Sequence, residues 1–399
     1  MIKSRLSQFE FVTLMASLMS VVALAIDALL PALNHIGNDI GIQNSTDNQL
    51  LITMIFLGLG VGQLFFGPIS DSLGRKPIVF MGFGIFIIAS FISIHATDLN
   101  TMIIGRVLQG IGLSAPRTMS IAIVRDSYNG DYMARIMSFI TVVFILIPII
   151  APALGKFVLD HYNWQAIFYI QMIFSVLVSF WFWARQPETL LKQQRIKFTS
   201  HIFTDGFKEL IKYKQTIGFT IISGFITGSF MVYLSTAQQI FQLQYHLTEE
   251  FPFIFAGLAI SAGIATFLNG TLVLKYGMEK LVTIALIGYL GISLVYIILF
   301  YNTVNPDITI LLLFFSLQFF AIGFLFGNLR ALAMQPVGHI AGIASAITGF
   351  ISTMMAVPIS AFVGKFVTGT ALPLFIAFVI CSILSILILV YLKVSVKKV

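Results

Sequence analysis

The sequence predicts an all-α integral membrane protein, with twelve transmembrane helices in two pseudo-symmetric six-helix bundles. Three observations carry this reading. First, 58% of the 399 residues are hydrophobic and 10% are charged, whereas an average soluble domain has about 25% charged residues. The 39 Phe also exceed what a soluble core buries. Second, the apolar residues fall into twelve long runs, and a spanning helix needs roughly 20 residues. The runs lack the two-residue alternation of a barrel strand, so helices are the spanning element. Third, two short features recur at nearly equal offsets in the two halves.

The first run, 9–33, follows a short basic start, Met1 to Arg5. It is too long for a signal-peptide core and lacks a clear cleavage site, so it reads as a span. The second, 46–69, ends in Gly67-Pro68-Ile69-Ser70-Asp71-Ser72-Leu73-Gly74-Arg75-Lys76, a charged hairpin leading into the third, 77–95. The fourth, 100–124, carries Arg106 and Arg117. The fifth, 135–158, contains Pro148 and Pro152 and ends at Gly155-Lys156; the sixth is 164–184. The charged connection 185–214 follows, and its stretch from Phe203 to Ile211 has the pattern of an amphipathic surface helix. The remaining runs are 215–240, 251–274, 281–301, 308–333, 341–366 and 371–392. The expected organisation is a first bundle over 1–184, a linker over 185–214 and a second bundle over 215–399.

The repeat is visible at two places. Gly67 and Gly74, ending in Arg75-Lys76, return as Gly270 and Gly277, ending in Glu279-Lys280. Gly155-Lys156-Phe157-Val158 returns as Gly364-Lys365-Phe366-Val367. The offsets are 203 and 209 residues, as duplication requires.

Orientation follows from Lys and Arg. With both termini in the cytoplasm, eighteen of the 23 fall on the inner side. Lys156 and Lys365 lie outside at span ends, and Arg106, Arg117 and Arg330 lie within spans. The net charge of +7 then reflects basic loops beside anionic lipid, not a nucleic-acid partner. The single Cys381 excludes a disulfide framework, and the six His show no metal spacing. There is no nucleotide-binding motif and no catalytic constellation, so an enzyme, a bound cofactor and a metal site are not expected.

Asp27 is a carboxylate inside the first span, which costs about 2.5–3.5 kcal/mol at mid-membrane. It reads either as a group that trades a proton for a cation or as an interfacial acid near the span's outer end. Arg106 lies at similar depth in the fourth span and reads either as the partner of Asp27 or as a structural Arg satisfying carbonyls. Arg117, eleven residues on, shares the Arg106 face. It either lines a cavity or snorkels beside Arg125. Gln109, Tyr233 and Gln238 are further candidates for a substrate cavity, although Phe-rich spans mostly use such rings against lipid.

Gly67, Asp71, Gly74, Arg75 and Lys76 together resemble the cytoplasmic signature between spans two and three of the major facilitator superfamily. The resemblance implies a gate there. Arg106-x-x-Gln109-Gly110-x-Gly112 resembles the fourth-span signature of proton-coupled members. Pro148, Pro152 and Gly155 resemble the fifth-span antiporter motif, with Ala151 standing where Gly is usual before Pro152 and Lys156 where a second Gly is usual. The narrower resemblance is to the Bcr/CflA branch of drug–proton antiporters. It rests on Asp27-x-x-Leu30-Pro31-Ala32-Leu33, Ile123-Val124-Arg125-Asp126, Ala151 to Gly155, Trp164-Gln165-Ala166-Ile167-Phe168, Pro187-Glu188-Thr189-Leu190 and Ala341-Gly342-x-Ala344-Ser345-Ala346. What this implies is a monomeric transporter of a bacterial inner membrane. It exports small drug-like or hydrophobic molecules in exchange for protons, by alternating access. A dedicated metabolite or siderophore exporter and an uptake symporter share the fold and stay open.

Overall fold

In a bilayer no water satisfies a free backbone amide or carbonyl, so each apolar run closes its hydrogen bonds within a helix. The computed structural model describes residues 6–128, 130–195, 201–301 and 305–396. The basic start at Lys3 and Arg5, and Lys197, Lys397 and Lys398, lie outside them, as do the side chains of Arg135 and several α6 neighbours.

In the first half the helices are α1 (Gln8–Asp27), α2 (Leu33–Asp39), α3 (Leu50–Leu73), α4 (Arg75–Ile94), α5 (Leu99–Ser127), α6 (Gly130–His161) and α7 (Trp164–Arg185). Helix α8 (His201–Ile211) occupies the expected amphipathic stretch. The second half holds α9 (Lys214–Gln238), α10 (Phe251–Tyr276), α11 (Met278–Phe300), α12 (Ile308–Met334), α13 (Ala341–Gly364) and α14 (Leu372–Val396). Eleven helical segments among the described residues are long and apolar enough to cross a membrane. The remaining expected span falls on α6, which is helical over 32 residues. Internal contacts divide the chain into two units, Met1–Ile202 and Phe203–Val399.

Helix starts follow the capping rule. Ser7, Asp98, Asn163 and Asp307 accept from the amides of Glu10, Thr101, Ala166 and Thr309 at 2.8–3.1 Å. The bond from the Thr101 amide, with that from its hydroxyl, holds the Asp98 carboxyl below the usual carboxylate range.

Helix α5 is the centre of the first unit. It lies against α3 through Gly58 and Gly110, where an added Cβ would overlap the Val107 and Ile55 carbonyls respectively. It lies against α4 through Gly82 and Gly112, where a Cβ at Gly112 would stand 2.6 Å from the Gly82 oxygen. Small residues are how helices associate in lipid, because apolar burial alone gives no preference for helix over acyl chain. In the second unit a small-residue contact, Gly323 of α12 against Ala262 and Ala265 of α10, is joined by stacked rings. Tyr296 stacks on Phe375 at 3.6 Å, and Tyr233 sits among Phe255, Phe315 and Phe319.

The duplication goes further than the two echoes. Gly74 (φ 106°) ends α3 and starts α4, and Gly277 (φ 79°) ends α10 and starts α11. A positive φ at this turn is a glycine conformation in both units. Gln109 donates to Ser90 at 2.8 Å, and Gln318 donates to Ser293 at 2.5 Å. These two pairs are again 209 and 203 residues apart in sequence.

Two spans differ from their expected bounds. The first does not run through to residue 33 as one helix. It stops at Asp27, makes a 3-10 turn over Leu30–Ala32, and resumes as α2. Pro31 is the cause, since it has no N–H for the Asp27 carbonyl and its ring crowds that oxygen. The seventh span continues past α9 in a π-helical turn, Gln239–Gln244. Helix α8 packs Gly206 against Ile343 and buries Leu210, leaving Phe207 and Ile211 exposed.

Candidate functional site

The break at Asp27 is the focus of the first unit. A helix end inside a membrane leaves carbonyls that no water can reach. Here side chains from other spans take them. Leu24 O accepts from the Ala28 amide and from Gln171 Nε2, each at 3.2 Å. Ala25 O accepts from Arg106 Nη2 at 3.1 Å. Arg106 is fully buried, and its other donors reach Leu51 O at 2.7 Å and Gln109 Oε1 at 2.8 Å. The guanidinium thus pins α1 and α3 to α5 with one planar fork.

Asp27 is 5% exposed and makes no hydrogen bond or ion pair among the described residues. The expected Asp27–Arg106 pair is therefore not formed. Arg106 is held by oxygens of α1, α3 and its own helix, the nearest of them two residues from Asp27. The structural alternative for Arg106 is the one the geometry displays.

Pro148 and Pro152 lie within α6, which stays helical through both. Gly155, the last member of that motif, faces the break, and a Cβ on it would overlap Ala28 O. At the far end of the same span region, Trp164 Nε1 donates to Asp39 Oδ2 at 2.6 Å, tying the end of α2 to α7.

The hairpin forms a second cluster. Arg75 is 4% exposed; Nη1 meets Asp71 at 2.5 Å and Ser70 Oγ at 2.7 Å, and Nε meets Asp126 at 2.9 Å. Gly74 has no side chain to cap α4. The Glu188 carboxylate does so instead, accepting from the Arg75 amide at 2.9 Å and the Lys76 amide at 3.0 Å. Lys76 Nζ donates to Trp183 O at 2.9 Å, and Thr189 joins Asp126 at 3.0 Å. Gly67, half-buried, stands one turn before Asp71, and its carbonyl accepts from Ser70 Oγ at 2.6 Å. The expected gate residues are brought together, with Asp126 and Glu188 added. Glu188→Gln is expected to weaken this cap by about 1 kcal/mol, since its –NH₂ would oppose a backbone N–H. Faster tryptic cleavage of the Arg75–Lys76 bond measures it, since Pro77 bars cleavage after Lys76, and an unchanged rate would count against the cap.

The four cavity candidates lie two in each unit, Gln109 and Arg117 on α5 and Tyr233 and Gln238 on α9. Gln109 is fully buried, with its oxygen on Arg106 and its nitrogen on Ser90. Tyr233 is 1% exposed within its ring cluster, and Gln238 donates to Gln242 at 2.8 Å. Arg117 is half-buried on α5. The residues absent from the sequence reading are Gln171 and the roles of Asp126 and Glu188. The latter two stood inside stretches that carried the family resemblance.

Comparison with known proteins accords with this geometry. The profile of the Major Facilitator Superfamily matches residues 15–360. The bicyclomycin resistance protein homolog of Haemophilus influenzae is 27% identical over 96% of this chain and 95% of its own. The multidrug resistance protein MdtL of Vibrio parahaemolyticus is 33% identical over 53% of this chain and 54% of its own. Among solved structures, the xylose transporter XylE from E. coli superposes with a TM-score of 0.72 at 13% identity, covering 97% of each chain. At that identity the likeness is one of fold.

Proposed function

The chain belongs to the Major Facilitator Superfamily of secondary transporters, and on that premise we propose that it exports small, drug-like or hydrophobic molecules in exchange for protons. The observation that carries this is Asp27, a buried carboxylate with no partner among the described residues, at a break in the first span. An ionised carboxylate there needs a counter-charge, and a proton or a polar group on substrate supplies it. Arg106 and Gln171 hold the broken helix end, so Asp27 can change state without unwinding it. The resistance proteins named above support the direction and the substrate class. The reading includes a bacterial inner membrane, both termini in the cytoplasm, and the hairpin from Gly67 to Lys76 as part of an inner gate.

The test is substrate-driven proton release from proteoliposomes at controlled pH. Wild type is expected to release protons on adding a substrate such as bicyclomycin or chloramphenicol. Asp27→Asn is expected to bind substrate without releasing protons. Intact export and intact release in Asp27→Asn would move the carrier role to another group.

A further inference from the structure

The second unit holds a cavity of about 520 Å³ at the α10–α11 turn. Its lining includes Gly277, Glu279, Lys280, Thr283, Gln335 and Lys393. Lys393 Nζ donates to Thr283 Oγ1 at 3.0 Å and stands 3.9 Å from Glu279. Lys275 and Lys280 both lie over the Tyr276 ring, at 5.3 and 5.4 Å. Two ammonium groups, Lys280 and Lys393, thus share the lining with one carboxylate, Glu279, which Lys393 faces.

The first unit supplies the second observation. Its equivalent turn at Gly74 is occupied by an anion, the Glu188 carboxylate, bonded to two successive amides. At Gly277 the backbone has the same positive-φ turn, and no side chain among the described residues caps α11. The first amides of a helix have no intrahelical acceptor, and their partial positive charge favours an oxyanion. Where the first unit has a carboxylate, the second has open space lined by Lys280 and Lys393.

We propose that this cavity binds a phosphate group, presented either by the headgroup of an anionic phospholipid or by free phosphate. Oxyanion oxygens take the place that Glu188 fills in the first unit. Lys280 and Lys393 supply the charge, and Thr283 and Gln335 supply further donors. A phosphate diester carries one full charge and several acceptor oxygens, which suits amides and ammonium groups together. The role expected for the ligand is to brace the α10–α11 turn, as Glu188 braces α3–α4.

The full-length purified protein tests this by native mass spectrometry with phosphatidylglycerol and by calorimetric titration with inorganic phosphate. For Lys280→Gln/Lys393→Gln, loss of two near-surface cations is expected to weaken binding by about thirtyfold. Gln335→Glu keeps every lysine and is expected to expel the ligand by placing a second carboxylate, one that no lysine faces, beside Glu279 in the cavity. Lys275→Gln, outside the lining, is expected to bind as wild type does. Retention of phosphatidylglycerol that depends on both lysines identifies the lipid source. Saturable phosphate binding with the same dependence, without lipid retention, identifies the free anion. If the double variant and Gln335→Glu bind both probes as wild type does, or wild type binds neither, the proposal is overturned.

Discussion

Arg106→Met is expected to lower the stability of the purified transporter by about 2–5 kcal/mol, on the basis of roughly 0.6–1.7 kcal/mol for each membrane-embedded hydrogen bond. Three such bonds are lost together, to Leu51 O, Ala25 O and Gln109 Oε1. Methionine fills much of the volume, so packing is not the main change. The Ala25 carbonyl is the acute loss, because it belongs to the last turn of α1 and Leu29 does not donate to it. Arg106→Lys is expected to recover only part of the loss. One ammonium carries the charge but cannot reach three oxygens on three sides as a planar fork does. The measurement is the melting temperature in detergent, read beside Gln109→Leu, which removes one acceptor and leaves both carbonyl bonds. A melting temperature for Arg106→Met no lower than that of Gln109→Leu would show that the carbonyls do not need the guanidinium.

The same residue shows what the sequence could and could not reveal. Arg106 was conspicuous because a charge inside an apolar run is costly, and its depth matched that of Asp27. Depth along two helices says nothing about where a long side chain turns. The break in α1 decided that, by exposing carbonyls closer to hand than the carboxylate. Pro31 was in plain view as the agent of the break, but a hydropathy run passes smoothly through proline, and 9–33 therefore read as one span. Gln109 shows the opposite failing. A polar residue in a span was read as lining a cavity, whereas both ends of its amide are used inside the helix bundle. The hairpin was legible in its own residues and silent about Glu188, which arrives from more than a hundred positions away. Only the uncapped glycine at the start of α4 hinted that an acceptor had to come from elsewhere.

Gly155→Ala is expected to reduce transport by about tenfold or more while costing about 1–3 kcal/mol of stability, the usual range for overpacking. The added methyl meets Ala28 O, and it also meets the Ala28 Cα at 3.1 Å. Both are backbone, so no side-chain rotation relieves the clash. The α6 helix and the α1 break must then separate, and Asp27 is the residue next to the one displaced. Ala153→Val tests the size change alone, since Ala153 is exposed on the same helix and is expected to leave transport and melting temperature unchanged. Proteoliposome transport and proton release separate two consequences. If Gly155→Ala lowers transport and proton release together, the contact sets the geometry in which Asp27 gains and loses its proton. If transport falls while each transported molecule still releases a proton, the contact governs only how readily the helices move. If neither changes, α6 yields to a methyl group at its nearest approach to the break, and the fifth-span glycine has no mechanical role here.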